Sequence, residues 1–159
     1  MAYTGGASLA AAAAGAHGTH VDASKGMVGG AKENAVSSGL KDAPIRWLVD
    51  DCVKFVEREI RRGNTYDAII MDPPSYGRGP KGEIWKIEDM IHPLIKLCTK
   101  ILSKDALFFL VNSYTTGLAP AVLTYMISTE LKPWNGHVES QEIGLPVTDS
   151  GLVLPCGAS

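Results

Sequence analysis

The sequence predicts an α/β fold: a mostly parallel sheet with helices on both faces, closed by a C-terminal antiparallel hairpin. Three observations carry this prediction. From residue 19 to residue 131, short apolar runs alternate with segments of helical pattern. Strands that alternate with helices pair in parallel, because a parallel neighbour is reached only through a crossover. Four of the runs end in polar residues, at Asp22, Asp50-Asp51, Asp72 and Asn112, and the carboxyl edge of an open α/β sheet is where ligands bind. The last two runs, 138–145 and 151–155, meet at a short turn around Asp149-Ser150, which is a hairpin connection.

Composition sets the bounds. A chain of 159 residues is long enough for one domain with a real core, and no internal repeat or long linker divides it. The formal net charge of -2 supplies no global field for nucleic acid. No apolar run reaches membrane-spanning length. The Ala- and Gly-rich start has no basic n-region, so no signal peptide is read and a cytoplasmic location is predicted. Cys52, Cys98 and Cys156 are widely spaced and odd in number, which reads as reduced thiols. His17 and His20 have no second ligand pair near them, so no metal is expected.

Taken in order, Tyr3-Thr4-Gly5-Gly6-Ala7 is a Gly-rich turn running into the helix-forming stretch 10–14, with Gly15 as its stop. Such a turn entering a helix can hold a ligand on backbone N–H groups, and a simple Gly-rich start is an equal reading. It lacks both the Gly-Lys-Ser/Thr of a phosphate loop and a full Gly-x-Gly-x-x-Gly. A turn of this kind normally follows a strand, and almost nothing precedes it, so the first strand reads as missing and the chain as a fragment. Residues 19–22 form a short strand ending in Asp22. An acid about twenty residues after such glycines binds ribose hydroxyls in dinucleotide folds. Asp22 also suits a helix cap, as does Ser24. The helix 25–38 carries Gly26, Gly29 and Gly30, which weaken its first turns, and Gly39 stops it. Residues 45–51 form the next strand. In the helix 53–62, Val53, Phe55 or Val56, and Ile60 share one face, and the charge run Glu57 to Arg62 reads as solvated.

The stretch from Tyr66 to Gly79 organises the rest. A short apolar run ends abruptly in Asp72-Pro73-Pro74, followed by Ser75 and Tyr76. Each proline fixes its own φ, and Pro74 also restricts Pro73, so the chain leaves the strand in one stiff direction. An acid, a rigid turn and an aromatic ring at a strand's carboxyl end suit a site, although Asp72 also suits a plain turn. Residues 75–83 read as a loop in which Arg78 and Lys81 suit a phosphate or simply solvent. A helix over 85–102 contains Pro93, which predicts a kink or a late start; Leu94, Ile95, Leu97, Ile101 and Leu102 face inward. The apolar run 106–111 reads as a central parallel strand, and 118–131 as a helix with Pro120 in its first turn.

These residues resemble a known family. Tyr3 to Ser8, Asp22-Ala23-Ser24, Ala31-Lys-Glu-Asn34-Ala35, Asp51-Cys52 and Asp72-Pro73-Pro74-Ser75-Tyr76-Gly77 come in the order and at the intervals of the class I S-adenosylmethionine-dependent methyltransferases. The branch resembled is that of the bacterial 23S rRNA cytosine-C5 enzymes. The resemblance spans nearly the whole chain and implies a Rossmann-like sheet with its last strand antiparallel. It implies S-adenosylmethionine as cofactor, with its methionine end near Tyr3, Thr4, Gly5, Gly6 and Ala7. It places the ribose hydroxyls on Asp22 beside Ala23 and Ser24, and the adenine on Asp51 and Cys52. Asp72, Pro73, Pro74 and Tyr76 would face the transferring methyl group and the acceptor, a nucleobase of RNA. The relatives carry a cysteine nucleophile after the fifth strand, where this chain reads Val111-Asn112-Ser113-Tyr114-Thr115-Thr116. Direct transfer to a nucleophile is therefore expected in place of carbon methylation through a cysteine.

Two other readings bear on the same residues. A nicotinamide-dependent oxidoreductase predicts a fuller glycine fingerprint than Gly5-Gly6. A truncated, non-catalytic module that binds cofactor or a partner follows from the missing strand, and would show an uncovered sheet edge.

Overall fold

The computed structural model describes residues 1–78, 82–115 and 117–159. They form two compact units, Met1–Arg62 and Gly63–Ser159. The first contains α1 (Gly6–Ala13), β1 (Gly18–Asp22), α2 (Lys25–Ser37), β2 (Ile45–Val49) and α3 (Cys52–Arg62). Strands β1 and β2 pair in parallel from Gly18↔Ile45 to Asp22↔Val49. The Asp50 N–H donates to the Asp22 carbonyl at 2.9 Å, so both acidic strand ends leave the pair at one level.

Helix α2 starts as its sequence dictates. Ser24 is the N-cap, its Oγ accepting the Met27 N–H at 3.3 Å. Val28, Ala31 and Ala35 are its buried residues, spaced at three and four along one stripe. Gly30 borders open space, where an added Cβ meets nothing within 4 Å. Gly30→Ala is therefore expected to stabilise the protein by about 1 kcal/mol, read as a higher midpoint in urea with an unchanged slope.

Helix α3 corrects one expectation. Glu59, assigned to a solvated face, is fully buried with Phe55 and Val56. The phase of the helix explains it: Glu59 lies four residues after Phe55 and three after Val56, on the apolar stripe. Its charge is matched by Arg62 at 2.9 Å and by Arg46 of β2 at 3.7 Å.

The second unit contains β3 (Ala68–Met71), β4 (Tyr76–Arg78), β5 (Ile84–Lys86), α4 (Ile87–Cys98), β6 (Phe108–Val111), α5 (Pro120–Glu130), β7 (Glu142–Pro146) and β8 (Val153–Ala158), with short 3-10 turns after α4 and α5. Strands β3 and β6 pair in parallel, Ala68↔Phe108 to Met71↔Val111. The final hairpin is antiparallel with a bulge at Ile143/Gly144. A two-way backbone pair between Ser113 and Ala158, 2.8 Å each way, joins β8 to the residues after β6.

Three expectations change here. The loop 75–83 is not all loop: β4 and β5 form a small antiparallel hairpin. The helix expected over 85–102 starts at Ile87 and gives way to a 3-10 turn at Thr99. Pro93 sits inside α4; it removes one backbone bond, and the buried side chains of Ile87, Ile91, Leu94, Ile95 and Cys98 hold the helix by packing. Finally, Phe108 and Leu110 of β6 stay partly exposed, so this strand is not buried on both faces.

Candidate functional site

In the first unit the predicted residues gather at the carboxyl ends of β1 and β2. Asp22 is a hub. Its Oδ2 accepts the backbone N–H groups of Ala2 and Tyr3, both at 3.1 Å, and pairs with the Met1 ammonium. Its Oδ1 accepts the Ser24 N–H at 2.9 Å. Burial opposes the charge, but the ammonium and the N–H donors of Ser24 and Tyr3 overcome it and hold the carboxyl below the usual range. Oδ1 keeps capacity for a further donor such as a hydroxyl.

The Gly-rich turn is bent over this carboxylate. Tyr3 has φ 52° and Gly5 has φ 88°. Gly5 must be glycine for a second reason: a Cβ there would sit 3.0 Å from the Ala31 Cβ. Asn34 of the same helix donates from Nδ2 to the Thr4 carbonyl at 3.0 Å. The run Ala31 to Asn34 thus has a physical reason, a small residue under the turn and an amide tying it down. Gly6 and Ala7 open α1 without a side-chain cap, which leaves first-turn N–H groups without intrahelical partners.

Asp51 caps α3, its Oδ1 accepting the Lys54 N–H at 2.9 Å; no protein donor reaches its Oδ2 among the described residues. Cys52 rests its thiol on the Val21 carbonyl at 3.8 Å. Burial pushes that thiol up, which makes it a poor nucleophile. Asp50 is taken by Arg58.

Beneath the turn lies a residue that sequence reasoning passed over. His20, considered in the sequence only as a metal ligand, is inside β1 and fully buried. Its Nδ1 pairs with Ser8 Oγ at 3.0 Å and its ring lies 5.0 Å from that of Trp47. Burial lowers its pKa. Both groups set an acid limit with the same sign. His20 binds more protons unfolded than folded below its ordinary pKa, and Asp22 does so below the ordinary carboxylate pKa, so stability rises with pH across both windows. Melting temperature is expected to fall first as pH drops through the histidine range and again below the carboxylate range; His20→Gln should remove the first step.

In the second unit Asp72 leaves β3 beside Asn112, since the Asn112 N–H donates to the Met71 carbonyl at 2.9 Å. Asp72 is half-buried and its carboxylate takes no protein hydrogen bond among the described residues. Burial pushes its pKa up. The turn after it is braced. The Trp85 indole N–H of β5 donates to the Pro74 carbonyl at 2.6 Å. Ser75 Oγ pairs with Thr115 Oγ1 at 2.7 Å. The Pro73 carbonyl accepts nothing among the described residues. Tyr76 is half exposed, and its hydroxyl accepts from Arg78 Nε at 2.9 Å. Lys81, expected near a phosphate, and Thr116 lie outside the described residues. Cys98 is buried in α4. Among the described residues no three His, Cys, Asp or Glu side chains group as metal ligands, and no helix is long and apolar enough to cross a membrane.

No protein-family model matches the chain. A solved S-adenosylmethionine-dependent methyltransferase from Agrobacterium tumefaciens superposes on 98% of the chain with a TM-score of 0.92 at 42% identity. The chain is related to the class I S-adenosylmethionine-dependent methyltransferases. Its α/β fold is the Rossmann-like fold of that group. SMU.776, solved in complex with SAH, superposes on 99% of the chain with a TM-score of 0.71; at 24% identity it shows the fold alone. Among curated proteins, ribosomal RNA large subunit methyltransferase K/L of Shewanella frigidimarina is 33% identical over 103 residues, 61% of this chain. Ribosomal RNA large subunit methyltransferase K of Neisseria meningitidis is 28% identical over 71% of this chain. The chain spans 14% and 32% of those two relatives and 52% of the Agrobacterium chain.

Proposed function

We propose that the chain transfers the methyl group of S-adenosylmethionine to a nucleobase of RNA in the cytoplasm, and that both units serve one methyltransferase domain. The observation that carries this reading is the pair of unused acceptors at the braced turn, the Asp72 carboxylate and the Pro73 carbonyl. The named relatives act on ribosomal RNA, which supports RNA as the acceptor and favours methyl transfer over nicotinamide chemistry. The donor set suits the cofactor: Asp22 Oδ1 has capacity for a ribose hydroxyl, Asp51 Oδ2 is open to an adenine amino group, and α1 and α3 present first-turn N–H groups. When bound, S-adenosylmethionine supplies an electrophilic methyl on a sulfonium that leaves as a neutral thioether.

The chain's own part is alignment. An amino group that donates to Asp72 and to the Pro73 carbonyl has its lone pair turned away from both. Methylation at that lone pair would leave a surplus proton on the amino group, and Asp72, whose burial suits it to accept one, would take it. Positioning of this kind supplies several kcal/mol of barrier reduction. Tyr76 offers a half-exposed ring for the base to stack on.

Calorimetric titration of S-adenosylmethionine into the chain tests the reading, with Asp22→Ala and Asp51→Ala as controls. Saturable binding that weakens in both is the expected result. A folded chain that binds none overturns it.

A further inference from the structure

The hairpin β4–β5 has two unlike faces. Tyr76↔Lys86 and Arg78↔Ile84 are cross-strand pairs, with Gly77↔Trp85 between them. Side chains alternate along a strand, so Gly77 and Trp85 share the inner face. There Trp85 holds the Pro74 carbonyl, and a Cβ on Gly77 would lie within 4 Å of both Trp85 and Pro74. Tyr76, Arg78, Ile84 and Lys86 share the outer face, and all four are exposed. Arg78 is held against the Tyr76 hydroxyl, which fixes a planar cation at the edge of a half-exposed ring. Among the described residues neither Arg78 nor Lys86 pairs with a carboxylate. The nearby acids have their own places: Glu83 lies on the connection, and Glu88 and Asp89 occupy the first turn of α4, where acids suit the helix dipole.

We propose that this outer face carries the single-stranded RNA next to the methylated base. Arg78 and Lys86 meet the phosphates on either side of the base that stacks on Tyr76; aromatic stacking between basic groups is how unpaired strands are held without sequence readout. The chemistry matches the partner: two cations with no carboxylate partner among the described residues flank a ring one turn beyond Asp72. The inference rests on RNA being the acceptor.

The test is fluorescence anisotropy with a labelled 12-nucleotide single-stranded RNA of mixed sequence, using the full chain. In Arg78→Gln/Lys86→Gln the salt dependence of binding is expected to fall by about 1.4 in log–log slope, at roughly 0.7 per phosphate contact. Tyr76→Ala is expected to weaken binding by about tenfold, and Tyr76→Phe, which keeps the ring, to stay within about threefold. Melting curves confirm that the variants fold, and S-adenosylmethionine calorimetry runs beside the anisotropy. Equal RNA binding by wild type and the double variant overturns the hairpin assignment while leaving the methyltransferase reading intact. No RNA binding by wild type overturns it as well. Failure of S-adenosylmethionine binding overturns the methyltransferase reading, and the anisotropy still decides the hairpin.

Discussion

Asp72→Asn is expected to abolish methyl transfer to below about a thousandth of wild type and, at neutral pH, to raise the melting temperature. The two effects have one cause. The carboxylate is half-buried without a protein donor, and burial has raised its pKa. Folding therefore favours the protonated form. Folded protein binds more protons than unfolded protein between the ordinary carboxylate pKa and the raised one, so this group's contribution falls as pH rises through that window. Above it, the full penalty of a buried unpaired charge is present, and an amide removes it. The loss of rate follows because an amide can neither take the proton nor offer two acceptor oxygens to an amino group. Single-turnover assays with radiolabelled methyl donor and melting curves at two pH values check both halves. Full activity in Asp72→Asn would sink the role given to this residue.

Gly5→Ala is expected to destabilise the protein by about 2 kcal/mol or more and to remove measurable cofactor binding. An alanine at φ 88° costs about 1–2 kcal/mol in the left-handed region. Its Cβ would also press on that of Ala31 at 3.0 Å, and Ala31 is fully buried, so it has nowhere to go. The two contributions separate in a double variant. Ala31→Gly in the Gly5→Ala background should recover the contact part and leave the backbone part, giving a coupling energy in denaturant melts. Additive effects would show that the turn does not rest on Ala31.

Much of this was legible from pattern. Helix α2 was readable from its cap Ser24 to its stop Gly39 because each end has a local signal. The parallel pairing and the polar strand ends followed from alternation of strand and helix. Glu59 was misread because charge count outweighed helical phase; counting three and four residues from Phe55 and Val56 would have put it inside. The hairpin β4–β5 was missed because three-residue strands are shorter than any periodicity that can be counted. The roles of Trp85, Ser8 and Thr115 were not legible at all, since each contact joins residues that only the fold brings together. Asn34 stood in a quoted motif, but its bond to Thr4 could not be read from spacing.

The bond from Trp85 to Pro74 has a practical consequence. The chain has three tryptophans, and each sits in its own electrostatic setting: Trp47 against the imidazole of His20, Trp134 with its N–H on the Ser103 carbonyl at 2.7 Å, and Trp85 on the turn that follows Asp72. Indole emission shifts with the field and polarity around the ring. Under the proposed function Trp85 is thus a built-in optical probe of the turn that follows Asp72, Trp47 one of the buried imidazole of His20, and Trp134 a third indole on a partner of its own. With one indole kept and two replaced by phenylalanine, each of these places can be followed in real time without adding a dye.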